Sequence, residues 1–198
     1  MQRLSGLAVA LSLPAAAVGV DAAGTPARDA LIRPGAGVGK IELRMSLNQV
    51  RRVLGAPSGV NRRERYGFGS HYVEYAWSRA GWTVGLVGRP GSLRVVKVAT
   101  TLARERTQAG LGVGSPLATL ERTRGARCGA AFNRGSYVGH WCLLGRDGVP
   151  QIGFGLDGRC AVTVPRYVRC PRYAPRAFEV VVAEAAIFRQ QLRIPQPG

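Results

Sequence analysis

At 198 residues the chain has room for one ordinary domain or two small ones, and a hydrophobic content of 46% excludes a wholly disordered protein. The net charge is +17, and all but Lys40 and Lys97 of the 28 basic residues are arginine. Such a balance attracts polyanions, whether cell-wall polymer, nucleic acid or acidic protein, although the abundance of Ala, Gly and Val beside the arginines makes part of the excess compositional.

Residues 1–22 have the anatomy of a secretory signal peptide: Arg3, an apolar run from Leu7 to Val18, then small residues. The run is too short for a membrane span, which needs roughly 20 apolar residues, and no later stretch approaches that length. No cysteine lies near the cleavage region, so a lipid anchor is not expected. The mature protein is expected to be exported to the extracytoplasmic space, with residues 23–36 as a linker.

The first helix signal is Ser46 followed by Gln49, an S-x-x-Q capping box. Leu47, Val50, Val53 and Leu54 then share one face, Gly55 suits the closing left-handed turn, and Pro57 prevents continuation. Strands are predicted over His71–Trp77, Trp82–Val87 and Ser92–Thr101, joined by glycine-bearing turns. Alternation puts Val73, Tyr75 and Trp77 on one face, with Val84 and Leu86 as partners.

The pattern then recurs. Leu117, Leu120, Gly125 and Ala126 repeat the spacing of Leu47, Val50, Gly55 and Ala56, with Ser115 as cap and Pro116 at the first helical position. His140 answers His71, Ile152–Phe154 answers Val84–Leu86, and Val162–Val164 answers Val96–Val98, all in order. These matches predict a duplicated α+β unit, each copy a short helix packed on a three- to four-stranded antiparallel sheet. The first copy spans residues 37–104 and the second 105–188; Ala177–Phe188 is an additional strand or a strand running into a helix, and residues 189–198 are a tail.

Four cysteines, Cys128, Cys142, Cys160 and Cys170, fit an oxidising compartment and two disulfides, and the absence of any C-x-x-C argues against zinc or thioredoxin-like redox chemistry. Three connectivities are open; pairing Cys128 with Cys142 and Cys160 with Cys170 is favoured because each joins neighbouring segments.

The stretch Gly37–Pro57 resembles the entry motif of the superfamily that contains the β-lactamase-inhibitor-protein-like proteins and the SmpA/OmlA (BamE) outer-membrane-assembly lipoproteins, seen also in secreted actinobacterial proteins. Met45, Ser46, Gln49, Val50, Leu54, Gly55 and Pro57 carry the match, while Arg44 stands where that family more often has glycine. The resemblance implies tandem helix-plus-sheet units and places a disulfide between Cys128 and Cys142 in the second copy. It transfers no recognition residue, and the lipid-bearing cysteine of the assembly proteins is absent.

Sites of chemistry are not found. No H-x-x-x-H or H-E-x-x-H spacing offers a metal site, Gly153–Gly158 matches G-x-G-x-x-G without a following helix, and no serine sits in a nucleophile elbow. No catalytic residue, cofactor or metal is therefore expected, and the chain is not expected to be an enzyme. The remaining lead is a surface of aromatics and arginines, the residue types that dominate protein-binding hot spots: Arg62, Arg63, Arg65, Tyr66 and Phe68 around the loop before the first strand, and Tyr72 on the face opposite Tyr75. The function expected is capture of a protein partner, inhibitor-like or assembly-like; the alternative is electrostatic retention on anionic cell-wall polymer.

Overall fold

The computed structural model describes residues 30–66, 70–133, 136–146, 149–157, 161–163, 167–169, 176–191 and 194. Three short strands, β1 (Leu31–Arg33), β2 (Gly37–Val38) and β3 (Ile41–Glu42), lead into helix α1 (Leu47–Leu54). A meander follows: β4 (Gly59–Tyr66), β5 (Ser70–Trp77), β6 (Trp82–Gly88) and β7 (Arg94–Thr100). After β8 (Arg106–Thr107) and α2 (Leu117–Glu121) come β9 (Arg127–Asn133), β10 (Ser136–Arg146) and β11 (Val149–Leu156). The chain then makes the hairpin β12 (Ala161–Thr163) and β13 (Tyr167–Arg169), and returns as β14 (Ala177–Ala183) and α3 (Ala185–Gln191).

The local signals of α1 operate as their chemistry demands. The Gln49 N–H donates to Ser46 Oγ at 3.3 Å and the Ser46 N–H to Gln49 Oε1 at 2.8 Å, closing the capping box. Gly55, at φ 78°, ends the helix by donating its N–H to the Arg51 carbonyl at 2.8 Å. Val50 is fully buried with Leu47 and Leu54 packed beside it, but Val53 is 41% exposed and not on the buried stripe. Helix α2 departs further from expectation. It spans only five residues, Pro116 occupies its cap position, and the Ser115 hydroxyl accepts the Gly112 N–H at 2.9 Å instead of capping the helix.

The predicted tandem of two small helix-on-sheet units is corrected by the sheet topology. One mostly antiparallel β architecture dominates, an eight-stranded sheet in the order β4-β5-β6-β7-β14-β11-β10-β9, accompanied by a four-stranded sheet β3-β2-β1-β8 and the separate β12-β13 hairpin. The strand that the sequence left over, β14, zips onto β7 from Val180 opposite Thr100 to Ala183 opposite Lys97, and onto β11 on its other side. Val162 and Thr163, matched to β7 by sequence, lie instead in the outlying hairpin. The physical cause is legible in β14 itself. Val180, Val181, Val182 and Ala183 are all buried, so both faces and both edges of this strand need partners. Two free-standing small sheets would leave an apolar strand with an open edge.

Both faces of the long sheet are accordingly covered. On one, Val84, Leu86, Val98, Phe154, Val180 and Val182 meet Val50 of α1, Leu120 of α2 and Ile32, Val38 and Ile41 of the small sheet. On the other, Val96, Ala99, Trp141, Leu143 and Val181 meet Ile187 and Phe188 of α3, which packs on β11 and β9. The stretch read as linker contributes β1, with Ile32 fully buried and paired in parallel with β8 from beyond the first unit. The tail expected from residue 189 begins inside α3, and Ile194 still packs against the second core.

Cys128 and Cys142 stand opposite each other on β9 and β10 and form a disulfide with Cα atoms 4.0 Å apart. It staples an edge strand to its neighbour. Cys160 and Cys170 lie outside the described residues.

Candidate partner-binding surface

Strand β4 ends the eight-stranded sheet, and its outer edge has no strand beside it among the described residues. Its register on β5 shifts once, between Val60 and Arg62, and then runs unbroken: Arg62 opposite Glu74, Arg63 opposite Val73, Glu64 opposite Tyr72, Arg65 opposite His71 and Tyr66 opposite Ser70. Val60 is 43% exposed, and Asn61 and Arg65 are exposed beside it. Arg62, Arg63 and Tyr66 therefore sit on the edge strand by backbone position; their side chains, and all of Phe68, lie outside the described residues. Arg51 and Arg52, exposed in the last turn of α1, precede the strand in the chain.

Tyr72 does not belong to a contact surface. It is fully buried, its ring lying over Gly85 and its hydroxyl donating to Glu74 Oε2 at 2.7 Å. Lys97 Nζ donates to the same oxygen at 2.9 Å, with side-chain exposures of only 17% for Lys97 and 13% for Glu74. This polar group is built by register: Glu74 faces Gly85 across β5–β6, and Gly85 faces Lys97 across β6–β7. A Cβ at position 85 would lie 2.5 Å from Tyr72 Oη, so glycine there leaves the space in which the tyrosine seats and the ion pair crosses β6. Glu179 completes the cluster. Burial pushes its carboxyl up, Lys97 pulls it down, and the nearby Glu74 adds a smaller upward push.

Chemically this is an interior polar patch in which one ammonium lies among two carboxylates, and Glu74 receives both a phenol and an ammonium donor. Sequence reasoning passed it over, although a signal was present, since Glu74 and Lys97 are charged residues inside the otherwise apolar runs Tyr72–Trp77 and Val95–Ala99.

A second polar group sits where β7 leaves the large sheet for the small one. The buried polar residues Thr100, Glu105, Thr107 and Ser115 all come from this stretch. Thr107 Oγ1 accepts the Leu111 N–H at 3.0 Å, and the backbone of Gly114 and Ser115 exchanges hydrogen bonds with Ala177. Glu105 is 1% exposed, and among the described residues its Oε2 has no hydrogen-bond partner. Burial raises its carboxyl above the ordinary value; a hydrogen bond with Thr100 and the Arg104 charge oppose that. The histidines matched by sequence differ: His71 is exposed, whereas His140 is half-buried and held below its usual range by desolvation, with Glu121 of α2 pulling the other way.

Among the described residues no three or more His, Cys, Asp or Glu side chains are grouped to hold a metal ion, and no helix is long and apolar enough to cross a membrane. No protein-family model and no curated protein matches the chain. Among solved structures it is similar to the uncharacterised protein yfeY from Escherichia coli, at 10% identity and a TM-score of 0.48, over 76% of this chain and 97% of that one.

Proposed function

We propose that the chain is an exported, non-catalytic binding protein that captures an acidic protein partner on its arginine-rich rim. The observation that carries this reading is the stretch from Arg51 to Tyr66, which sets five arginines against one glutamate and ends in the last strand of the eight-stranded sheet. Arg51, Arg52 and Arg65 are exposed there, and arginine is the cation best suited to bidentate recognition of carboxylates. A cross-strand disulfide fits an oxidising, extracytoplasmic setting. The inhibitor-like or assembly-like role expected from the sequence is the same class of activity.

Retention on anionic cell-wall polymer is the second reading, favoured by the net charge of +17, which is not confined to one rim. Binding the mature, oxidised protein to its own envelope fraction while salt rises from about 50 to 500 mM separates the two. Retention that survives high salt, with one protein released only by denaturant, supports the protein-partner reading. A linear fall of log affinity against log salt, with no co-eluting protein, assigns the charge to polymer binding. No retention at any salt overturns both.

A further inference from the structure

We infer that Arg44 is a recognition residue which, with Arg94, takes a carboxylate of the acidic partner beside the start of α1. The inference rests on the reading of the chain as a binding protein for an acidic partner, and adds a named contact outside the stretch Arg51–Tyr66.

Three observations carry it. First, the fold uses the backbone of Arg44 and not its side chain. The residue holds φ at 71°, in the left-handed region that favours glycine. Its N–H donates to the Val95 carbonyl at 2.7 Å, and the Val95 N–H donates to the Met45 carbonyl at 2.8 Å. The segment ahead of α2 makes the same crossing with a glycine. Gly114, at φ 88°, donates to the Ala177 carbonyl at 2.6 Å, and Ala177 donates to the Ser115 carbonyl at 2.9 Å. Glycine thus meets the backbone requirement, whereas arginine adds strain and no buried contact. Strain held at an exposed residue points to a role outside the fold.

Second, the side chain is left unengaged. It is 87% exposed, and its ion-pair partner among the described residues, Glu184 Oε1, stands 3.9 Å from Nε, beyond hydrogen-bond reach. Glu42, two residues earlier, is already paired with Arg33 at 2.9 Å. Arg94 is bridged to Ser46 just ahead of α1 and is exposed. Like Arg44, it donates no side-chain hydrogen bond among the described residues. The helix end itself is not the attraction, because the Ser46–Gln49 capping box occupies it.

Third, the charge selects the occupant. Two guanidinium groups against the one carboxylate of Glu184 leave a single positive charge, which one partner carboxylate neutralises. The planar fork of arginine matches the two oxygens of that group. A string of phosphates would set further negative charge against Glu184 and gain less.

The test uses the full mature, oxidised protein with two fluorescent probes, hexaglutamate and poly(glycerol phosphate), at about 0.15 M salt. Arg44→Gly is expected to bind hexaglutamate at least about tenfold more weakly than the wild type while melting no lower. Arg44→Lys keeps the charge without the fork and should weaken binding about threefold or more, and Arg94→Gln should behave like Arg44→Gly. Arg79→Ala removes an exposed arginine from the turn between β5 and β6, and as the charge control should stay within about twofold. Equal losses from Arg44→Gly and Arg79→Ala overturn the assignment and leave electrostatic capture of an acidic partner standing. If Arg44→Gly melts lower than the wild type, Arg44→Lys and Arg94→Gln carry the test, and full-strength binding by either overturns the assignment. Arg44-dependent binding of the phosphate polymer alone assigns the pair to cell-wall polymer and also overturns it. Binding of neither probe overturns it as well, and envelope retention then decides the broader reading independently.

Discussion

Gly85→Ala tests whether the interior polar patch is built as described. The new Cβ would lie 2.5 Å from Tyr72 Oη, 2.9 Å from Cζ and 3.0 Å from Cε2, so the ring must move by several tenths of an ångström at least. Tyr72 has nowhere easy to go, being fully buried with its hydroxyl held by Glu74 at 2.7 Å. Forcing a methyl into such packing costs about 1–3 kcal/mol, and displacing a hydrogen bond to a charged acceptor costs about 1.5–3 kcal/mol more. Alanine returns only about 0.4–1 kcal/mol by restricting the unfolded chain. The net expectation is a loss of about 1.5–5.5 kcal/mol, read as a fall in Tm of roughly 3–22 °C for a chain of this size, or as a lower urea midpoint at unchanged slope. Gly59→Ala is the control. Its Cβ would meet nothing within 4 Å, so the same substitution there should be neutral or stabilising by up to about 1 kcal/mol. In a Tyr72→Phe background the nearest clash is gone, and Gly85→Ala should cost at least about 1 kcal/mol less than in the wild type. A Gly85→Ala protein as stable as the wild type, or a cost indifferent to Tyr72→Phe, would refute the reasoning.

Two further substitutions bear on strain and burial. Arg44 holds φ at 71°, a left-handed conformation that costs a non-glycine residue about 1–2 kcal/mol, while its N–H donates to the Val95 carbonyl at 2.7 Å. Arg44→Gly keeps that hydrogen bond, relieves the strain and adds back chain entropy, so thermal melts should show a net gain of about 0.5–1 kcal/mol; an unstable variant would mean that the side chain, not the backbone, matters there. Glu105 has its folded pKa raised above the reference value of 4.5, so its contribution to stability is full below that pH and is lost as pH rises through the folded value. Glu105→Gln should therefore match the wild type near pH 4 and exceed it at neutral pH, as measured by urea unfolding at a series of pH values. Parallel pH–stability curves for the two proteins would dispose of that assignment.

What the sequence disclosed about the fold depended on how local the signal was. Ser46, Gln49 and Gly55 act within one helical turn, and the α1 boundaries follow from them alone. The pairing of Val73 with Leu86 and Tyr75 with Val84 follows from alternation across a short hairpin. Long-range pairing had no such guide. Val162–Val164 and Val180–Val182 are equally apolar candidates to mirror β7, and counting matches chose the wrong one. The discriminating feature is the unbroken run Val180–Ala183: a strand buried on both faces shows no alternation and belongs at the centre of a sheet, whereas Val162-Thr163 does not continue such a run. The same assumption misplaced Tyr72. Alternation put it opposite Tyr75, and one wet face is the ordinary expectation for an antiparallel sheet, but here α3 and its neighbours give that face a core of its own. The arginines of β4 were visible as a cluster, yet the sequence could not show that they lie on the last strand of the sheet.

That placement narrows where recognition can occur. A protein that binds through a sheet face must leave the face open, and this one fills both; even the charged residues in its middle, Glu74, Lys97 and Glu179, are engaged with one another. Breaking that group to reach a ligand would expose unpaired half-buried charges, at a cost of several kcal/mol. Recognition is left to rims and edges, where a partner adds contacts without removing any. On the proposed binding reading the two edges of the long sheet differ: β9 is covalently stapled to β10 and carries one arginine, whereas β4 carries three and has no strand beside it among the described residues.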